Sequence, residues 1–265
     1  MTPTRRRVCG ALAAAVGSAG CAGRGRLGGG GLQTEQTEET LGVDGATGLT
    51  VSVAAGETTV VAEDRETLAV RATKRAPGDR LDDFSVAVTR DGDRIRVRGR
   101  RPDVPRGRID VDLRVPQSLP LERAETAAGP LRVTGVAGDP RVESAAGEVT
   151  VTGVPGFVTA EAAAGEVTVR DVGGVDGITT AAGDVDANVS AIRGDTTLST
   201  ATGRLSAALA PDLDATVSAE AALGSVNVDG LPLTDDDEGV SGQLGDGTHR
   251  LTVEAGAGEI SLSRL

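Results

Sequence analysis

Side chains that could carry out acid–base or nucleophilic chemistry are scarce in this chain of 265 residues. His249 is the only histidine, and both cysteines, Cys9 and Cys21, lie near the N-terminus. Catalysis of either kind requires a convergent set of groups with adjusted pKa values. The sequence supplies no such set, and one histidine cannot form a histidine-ligated metal cluster. We therefore predict that the protein is not an enzyme and holds no metal or cofactor.

Acidic residues are the remaining candidates for cation binding. The run from Asp235 to Glu238 supplies four carboxylates, but its spacing is not that of a known calcium loop. Glu148, Glu166 and Asp184 each follow a repeated glycine, so stacking of the repeats would align them in an acidic row. That row could hold cations or could be a charged edge that salt screens; the second interpretation is favoured.

Four arginines at alternate positions are unusual in a chain whose net charge is -12: Arg94, Arg96, Arg98 and Arg100. Alternate residues share one face of a strand, so the strip could bind anionic glycans or lipid headgroups. The favoured alternative pairs it with Asp110 and Asp112 on the following strand, at ~0.2–1 kcal/mol for each surface pair. The acidic, lysine-poor composition argues against nucleic acid as a partner and suits high ionic strength.

The first residues predict export and membrane attachment. A twin-arginine signal is formed by Arg5, Arg6 and Arg7, and a short apolar run follows it. Ser18-Ala19-Gly20-Cys21 resembles the lipobox of bacterial and archaeal lipoproteins, although Ser18 stands where an aliphatic residue is usual. We predict a signal peptide over 1–20, lipidation at Cys21 and a flexible glycine-rich tether over 21–46. Ordinary cleavage nearby, or a retained leader that acts as a weak anchor, is the alternative. Asn188 begins a glycosylation sequon.

A repeat dominates the rest of the chain. Ala-Ala-Gly followed by an acidic residue recurs around Gly147, Gly165 and Gly183, and related copies are spaced by 18 to 21 residues. Two and four positions after each repeat glycine stand aliphatic residues or alanine, with a polar residue between them, which predicts one half-buried strand in each unit. Such units bury their apolar faces only by stacking. We predict an all-β fold with a β-solenoid over 121–265, a single-stranded stack resembling a parallel β-helix. An ordinary β-sandwich is the alternative.

The region 47–120 is patterned differently and is predicted to cap one end of the stack. Val86 and Val88 alternate on one side of Asp91-Gly92, and Ile95 and Val97 on the other, which predicts a hairpin. Residues 233–248 are predicted to form an inserted acidic loop.

The Ala-Ala-Gly-acidic repeat behind a lipoprotein-type leader resembles the putative adhesin family of β-helical prokaryotic envelope lipoproteins. The resemblance covers about residues 47–265, and its motifs are structural, without a catalytic signature. It implies a non-catalytic structural or adhesive module at the outer face of the cytoplasmic membrane or the cell surface, with envelope polymers or surface proteins as partners. The alternative is a carbohydrate-active enzyme, such as a polysaccharide lyase on a β-helix. Against it, sugar sites usually contain aromatic rings, and the chain has two Phe and neither Trp nor Tyr.

Overall fold

A computed structural model describes residues 32–78, 80–101, 107–236 and 239–265. The described chain is all-β, as predicted: its strands belong to one large mixed sheet, and a single 3-10 turn spans Leu81–Asp83. No helix in the described ranges is long and apolar enough to cross a membrane. The predicted export signal, Arg5, Arg6 and Arg7, and the predicted lipidation site, Cys21, lie outside the described residues.

The strands follow one another closely. The N-terminal region contains β1 (Leu32–Gly42), β2 (Gly48–Val53), β3 (Thr58–Glu63), β4 (Thr67–Pro77), β5 (Ser85–Asp91), β6 (Arg94–Arg100) and β7 (Arg108–Pro116). The repeats supply β8 (Leu121–Thr126), β9 (Leu131–Thr134), β10 (Arg141–Ser144), β11 (Val149–Thr152), β12 (Phe157–Ala164), β13 (Val167–Arg170), β14 (Gly174–Ala182), β15 (Val185–Val189), β16 (Thr196–Thr202) and β17 (Leu205–Leu209). The last strands are β18 (Ala215–Asp229), β19 (Leu233–Asp236), β20 (Gly239–Leu244) and β21 (His249–Arg264).

From β8 to β15, each strand of the repeats pairs in parallel with the next but one along the chain, which produces two ladders. Ladder A runs in the order β5, β6, β2, β8, β10, β12, β14, β16, β21, β18, β20, β19. Ladder B runs in the order β1, β4, β7, β3, β9, β11, β13, β15, β17, β21, β18. The long strands β18 and β21 belong to both ladders.

The ladders place the predicted inward residues in one row. Leu131, Val149, Val167, Val185 and Leu205 pair in register along ladder B, and each is buried. They pack in one hydrophobic core with ladder A residues such as those of the row Val142, Ala160, Ile178 and Leu198. The small aliphatic core follows from a composition that lacks Trp and Tyr.

The prediction of one strand in each repeat is wrong, because each unit contributes one strand to each ladder. The ladder A strand ends just before the next glycine: Ala160 precedes Gly165 by five residues, as Ile178 precedes Gly183. The strand predicted from the sequence comprises only the residues after each glycine. The alternating burial before it, as in Arg141–Ser144, is carried by a short strand with a single large aliphatic residue.

The predicted tether is partly wrong as well. Within 21–46, residues Leu32–Gly42 form β1, which pairs antiparallel with β4 along its whole length. Main-chain pairing accounts for this strand, since most of its polar side chains are exposed. The predicted hairpin is present, with Asp91 opposite Arg94 in the β5–β6 pair.

The C-terminal strand lies between other strands of both ladders. β21 pairs in parallel with β16 and β17 on one side and with β18 on the other. The predicted acidic loop over 233–248 instead contains β19 and β20, and β20 pairs antiparallel with β18. In ladder B, β17 and β18 are therefore not neighbours, because β21 lies between them.

Candidate binding groove

The repeat glycines form one bend of every unit, called here the glycine bend. The N–H of Gly147 donates to the carbonyl of Ala164, and the N–H of Gly165 donates to that of Ala182. Gly165 has φ +129, and a Cβ there would lie 2.2 Å from the carbonyl oxygen of Gly147. Only glycine permits this conformation together with so close a backbone approach.

The repeated alanines line a groove. Ala145, Ala163 and Ala181 are exposed, and they stand in one row at the edge of ladder A beside the glycine bend. The groove has a volume of about 1210 Å³ and takes lining residues from eight strands, β6, β2, β8, β10, β12, β14, β16 and β21. At the ~4.8 Å spacing of neighbouring strands, its length is about 34 Å.

Buried hydroxyl groups lie along the floor of the groove. Thr126, Ser144 and Thr180 occupy one inward column, interrupted by Ala162. All three are at least nine-tenths buried, and their hydroxyl oxygens have no hydrogen-bond partner among the described residues. Most buried polar groups in proteins are paired, so this column is an unused set of donors beside the groove.

A network of ion pairs forms one flank of the groove. Arg123 contacts Glu125 and Glu143, and Arg141 contacts Glu143 and Glu161, so charges alternate from β8 to β12. The Arg123–Glu143 and Arg141–Glu161 contacts both measure 2.6 Å. These carboxylates are therefore neutralised locally, and the middle of the groove carries little net charge.

The predicted arginine strip lies on the outer side of β6, where the groove begins. Arg94 pairs with Glu122 at 3.2 Å and Arg96 with Asp91 at 3.6 Å. Arg98 stands opposite Ser52, a lining residue, and Arg100 itself lines the groove. Neither makes an ion pair with any described residue.

The favoured pairing of the strip with two aspartates is wrong, because β6 pairs with β2 and β5 and not with β7. Asp110 contacts Arg75 and Arg108, and Asp112 contacts Arg114. Strand order, which a single sequence does not reveal, decides these partners.

The other sequence candidates do not converge on a site. His249 begins β21 beside Ala215, and Asn188 lies half-buried on an outward row of β15. Glu148 and Glu166 of the acidic row contact neighbouring threonines, Glu148 also pairs with Arg132, and Asp184 accepts from the backbone N–H of Arg204. Asp237 and Glu238 lie outside the described residues. Within the described ranges, no group of three or more histidine, cysteine or acidic side chains is placed to hold a metal ion.

The second bend of each unit, called here the variable bend, is held by side chains as well as by backbone hydrogen bonds. Asp139 accepts from the backbone N–H of Phe157 at 2.9 Å and from Arg193 at 2.6 Å, and these bonds hold the pKa of Asp139 below its ordinary value. Arg193 also pairs with Asp176, and its guanidinium carbon lies 4.5 Å from the centroid of the Phe157 ring. Sequence reasoning missed this cluster, whose members are 17 to 54 residues apart.

Comparison with known proteins gives structural likeness only. No family model matches the chain, and no curated protein matches it. Among solved structures it is similar to a putative adhesin from Bacteroides fragilis (8% identity, 86% of this chain and 96% of that one, TM-score 0.48). It is also similar to a putative cell adhesion protein from Clostridium sporogenes (11% identity, 88% and 100% covered, TM-score 0.36). A third is a putative lipid binding protein from Parabacteroides distasonis (12% identity, 88% and 98% covered, TM-score 0.37).

Proposed function

We propose that this chain is an exported, non-catalytic module of the cell envelope that holds an extended anionic polymer in the groove of ladder A. The main support for this function is the shape of the groove. Its lining repeats from strand to strand over about 34 Å, a shape that suits a chain molecule better than a compact substrate.

The architecture that presents the groove is proposed to be a β-solenoid in which the two ladders form opposite walls of one core. Parallel pairing through the repeats, with one shift of register in the β12–β14 pair, and a hydrophobic core shared by both ladders support this arrangement. Residues 47–120 then cap one end of the solenoid.

Attachment to the envelope is proposed to follow from the leader. The twin-arginine segment would direct export, and lipid on Cys21 would hold the protein at the outer face of the cytoplasmic membrane. This placement, like the resemblance to the putative adhesin family, rests on the sequence. It makes envelope polymers the nearest ligands.

The chemistry of the ligand is argued from the ends and floor of the groove. Arg98 and Arg100 offer guanidinium groups that suit carboxylate, sulfate or phosphate at one end. The unpaired donors of Thr126, Ser144 and Thr180 could reach acceptor oxygens along the polymer after rotation about χ1. An acidic glycan combines both features.

Binding of polygalacturonate by the purified protein tests this proposal, with neutral dextran as the comparison ligand. We expect binding of the acidic polymer alone. Replacing Arg98 and Arg100 together by alanine should weaken it by about tenfold, which corresponds to ~1.4 kcal/mol.

The matched control is the double variant Arg94→Ala/Arg96→Ala on the same strand, whose side chains are already paired with Glu122 and Asp91. It should bind as the unmodified chain does. Equal binding by both double variants would contradict the assignment of the basic end. Release of shortened polymer would instead favour the polysaccharide lyase alternative.

A further inference from the structure

One sheet edge at the C-terminal end is open. Residues 223–229 of β18 pair in parallel with β21, from Leu223 opposite Ala257 to Asp229 opposite Ser263. No described strand pairs with their other side, whereas β20 and β19 cover the first half of β18 in ladder A. The outer N–H and C=O groups of this segment, called here the β18 edge, therefore lack a strand partner within the described chain.

The β18 edge also leaves apolar side chains incompletely covered. Leu223 is 73% exposed, and Val226 and Val228 are only partly buried. Ile260 and Leu262, the partners of the two valines on β21, are almost fully buried. The inward row of ladder B thus continues through β18 without a following strand to cover it.

The other edges of the two ladders carry charges that oppose pairing. β1 contains Glu35, Glu38 and Glu39, and β5 ends with Arg90 and Asp91. Charged side chains are a common means of blocking edge strands. The β18 edge, Leu-Gly-Ser-Val-Asn-Val-Asp, has one charge in seven residues.

We propose that the β18 edge is a self-association surface, occupied by the same edge of a second copy of this chain in antiparallel orientation. A two-fold axis at Val226 would place Ser225 of each copy opposite Asn227 of the other, and Asp229 opposite Leu223. No like charges then face each other, so the sequence of this edge is complementary to itself. Two copies joined in this way would extend ladder B into one continuous sheet.

Sedimentation velocity of the full chain, with a lipid-compatible detergent, tests this inference by charge reversal. The unmodified chain should show a concentration-dependent dimer. A lysine variant, Ser225→Lys/Asn227→Lys, and an aspartate variant, Ser225→Asp/Asn227→Asp, should each be monomeric, because each places like charges opposite one another. Mixing the two in equal amounts should restore the dimer, at ~0.15 M ionic strength where contact pairs persist.

Both positions are exposed and point outward, but Ser225 stands opposite Glu259, and Asn227 donates a hydrogen bond to that carboxylate. The lysine variant should therefore melt as the unmodified chain does, whereas the aspartate variant should melt at a lower temperature because its carboxylates face Glu259. Melting curves for each variant separate loss of association from loss of fold. A monomeric unmodified chain would overturn the inference and leave the edge to a different strand. A dimer that persists in both variants, or one that mixing fails to restore, would place the interface elsewhere.

Discussion

The two bends of each repeat differ in what is fixed and what varies. At the glycine bend, the residue two places after each repeat glycine enters the inward row of ladder B, and hydrogen bonds between backbone groups join successive units. At the variable bend, the connections 153–156, 171–173, 190–195 and 210–214 differ in length. The added residues that lengthen the spacing from 18 to 20 and 21 all fall in the variable bend.

This difference explains which part of the molecule can carry a continuous surface. The groove lies beside the glycine bend, where constant geometry keeps equivalent side chains in line over eight strands. The variable bend also contains backbone hydrogen bonds between units, but it tolerates changes in length because its side-chain contacts differ from unit to unit, such as those of Asp139 and Arg193.

Adding one methyl group at each bend should give the largest difference in unfolding free energy between the two bends. Gly165→Ala forces a side chain into φ +129 and against the Gly147 carbonyl, and we expect a loss of about 2–6 kcal/mol in unfolding free energy. Gly194 lies in the variable bend, where an added Cβ would meet no atom within 4 Å and the backbone φ is not positive, so Gly194→Ala should change stability by less than about 0.5 kcal/mol. Denaturant unfolding measures both, and equal losses would remove the distinction between the bends.

Lengthening each bend should give a smaller difference in stability between the two bends. A Gly-Ser insertion between Ala164 and Gly165 should break at least one backbone hydrogen bond between units and cost about 1–3 kcal/mol. The same insertion between Arg193 and Gly194 should cost only a few tenths of a kcal/mol, about the penalty of a slightly longer loop. Thermal melts of the two variants check this order. A larger loss of stability from the insertion in the variable bend would contradict it.

Acid should weaken the contacts of Asp139 in the variable bend. Because its hydrogen bonds lower the folded-state pKa of Asp139, this carboxylate stabilises the fold above the unfolded pKa of about 3.9. Its contribution is lost as the pH falls through the lowered folded value. Asp139→Asn should therefore reduce the melting temperature at pH 7 by about 2 °C and flatten its decline in acid. A parallel acid decline in both proteins would assign the pH dependence to other groups.

The sequence predicted the strand after each repeat glycine but not the strand before it. The strands of ladder B were predicted because apolar and polar residues alternate after each glycine at a regular spacing. Ladder A was missed since its strands mix alanine, serine and threonine on the inward side, as in β10 and β14. The groove was missed for the same reason: small residues are equally compatible with a tight interior and with an open surface.

Protection of the groove by its ligand tests whether the polymer lies along ladder A. In a Cys9→Ser/Cys21→Ser background, single cysteines at Ala127, Ala163 and Ala201 sample the length of the groove, and a cysteine at the exposed Thr134 of ladder B is the control. With polygalacturonate at ten times its dissociation constant, maleimide labelling at all three groove positions should slow by about tenfold, with no change at Thr134→Cys. Unchanged labelling in the groove while the polymer is bound, or protection at Thr134→Cys alone, would contradict the account.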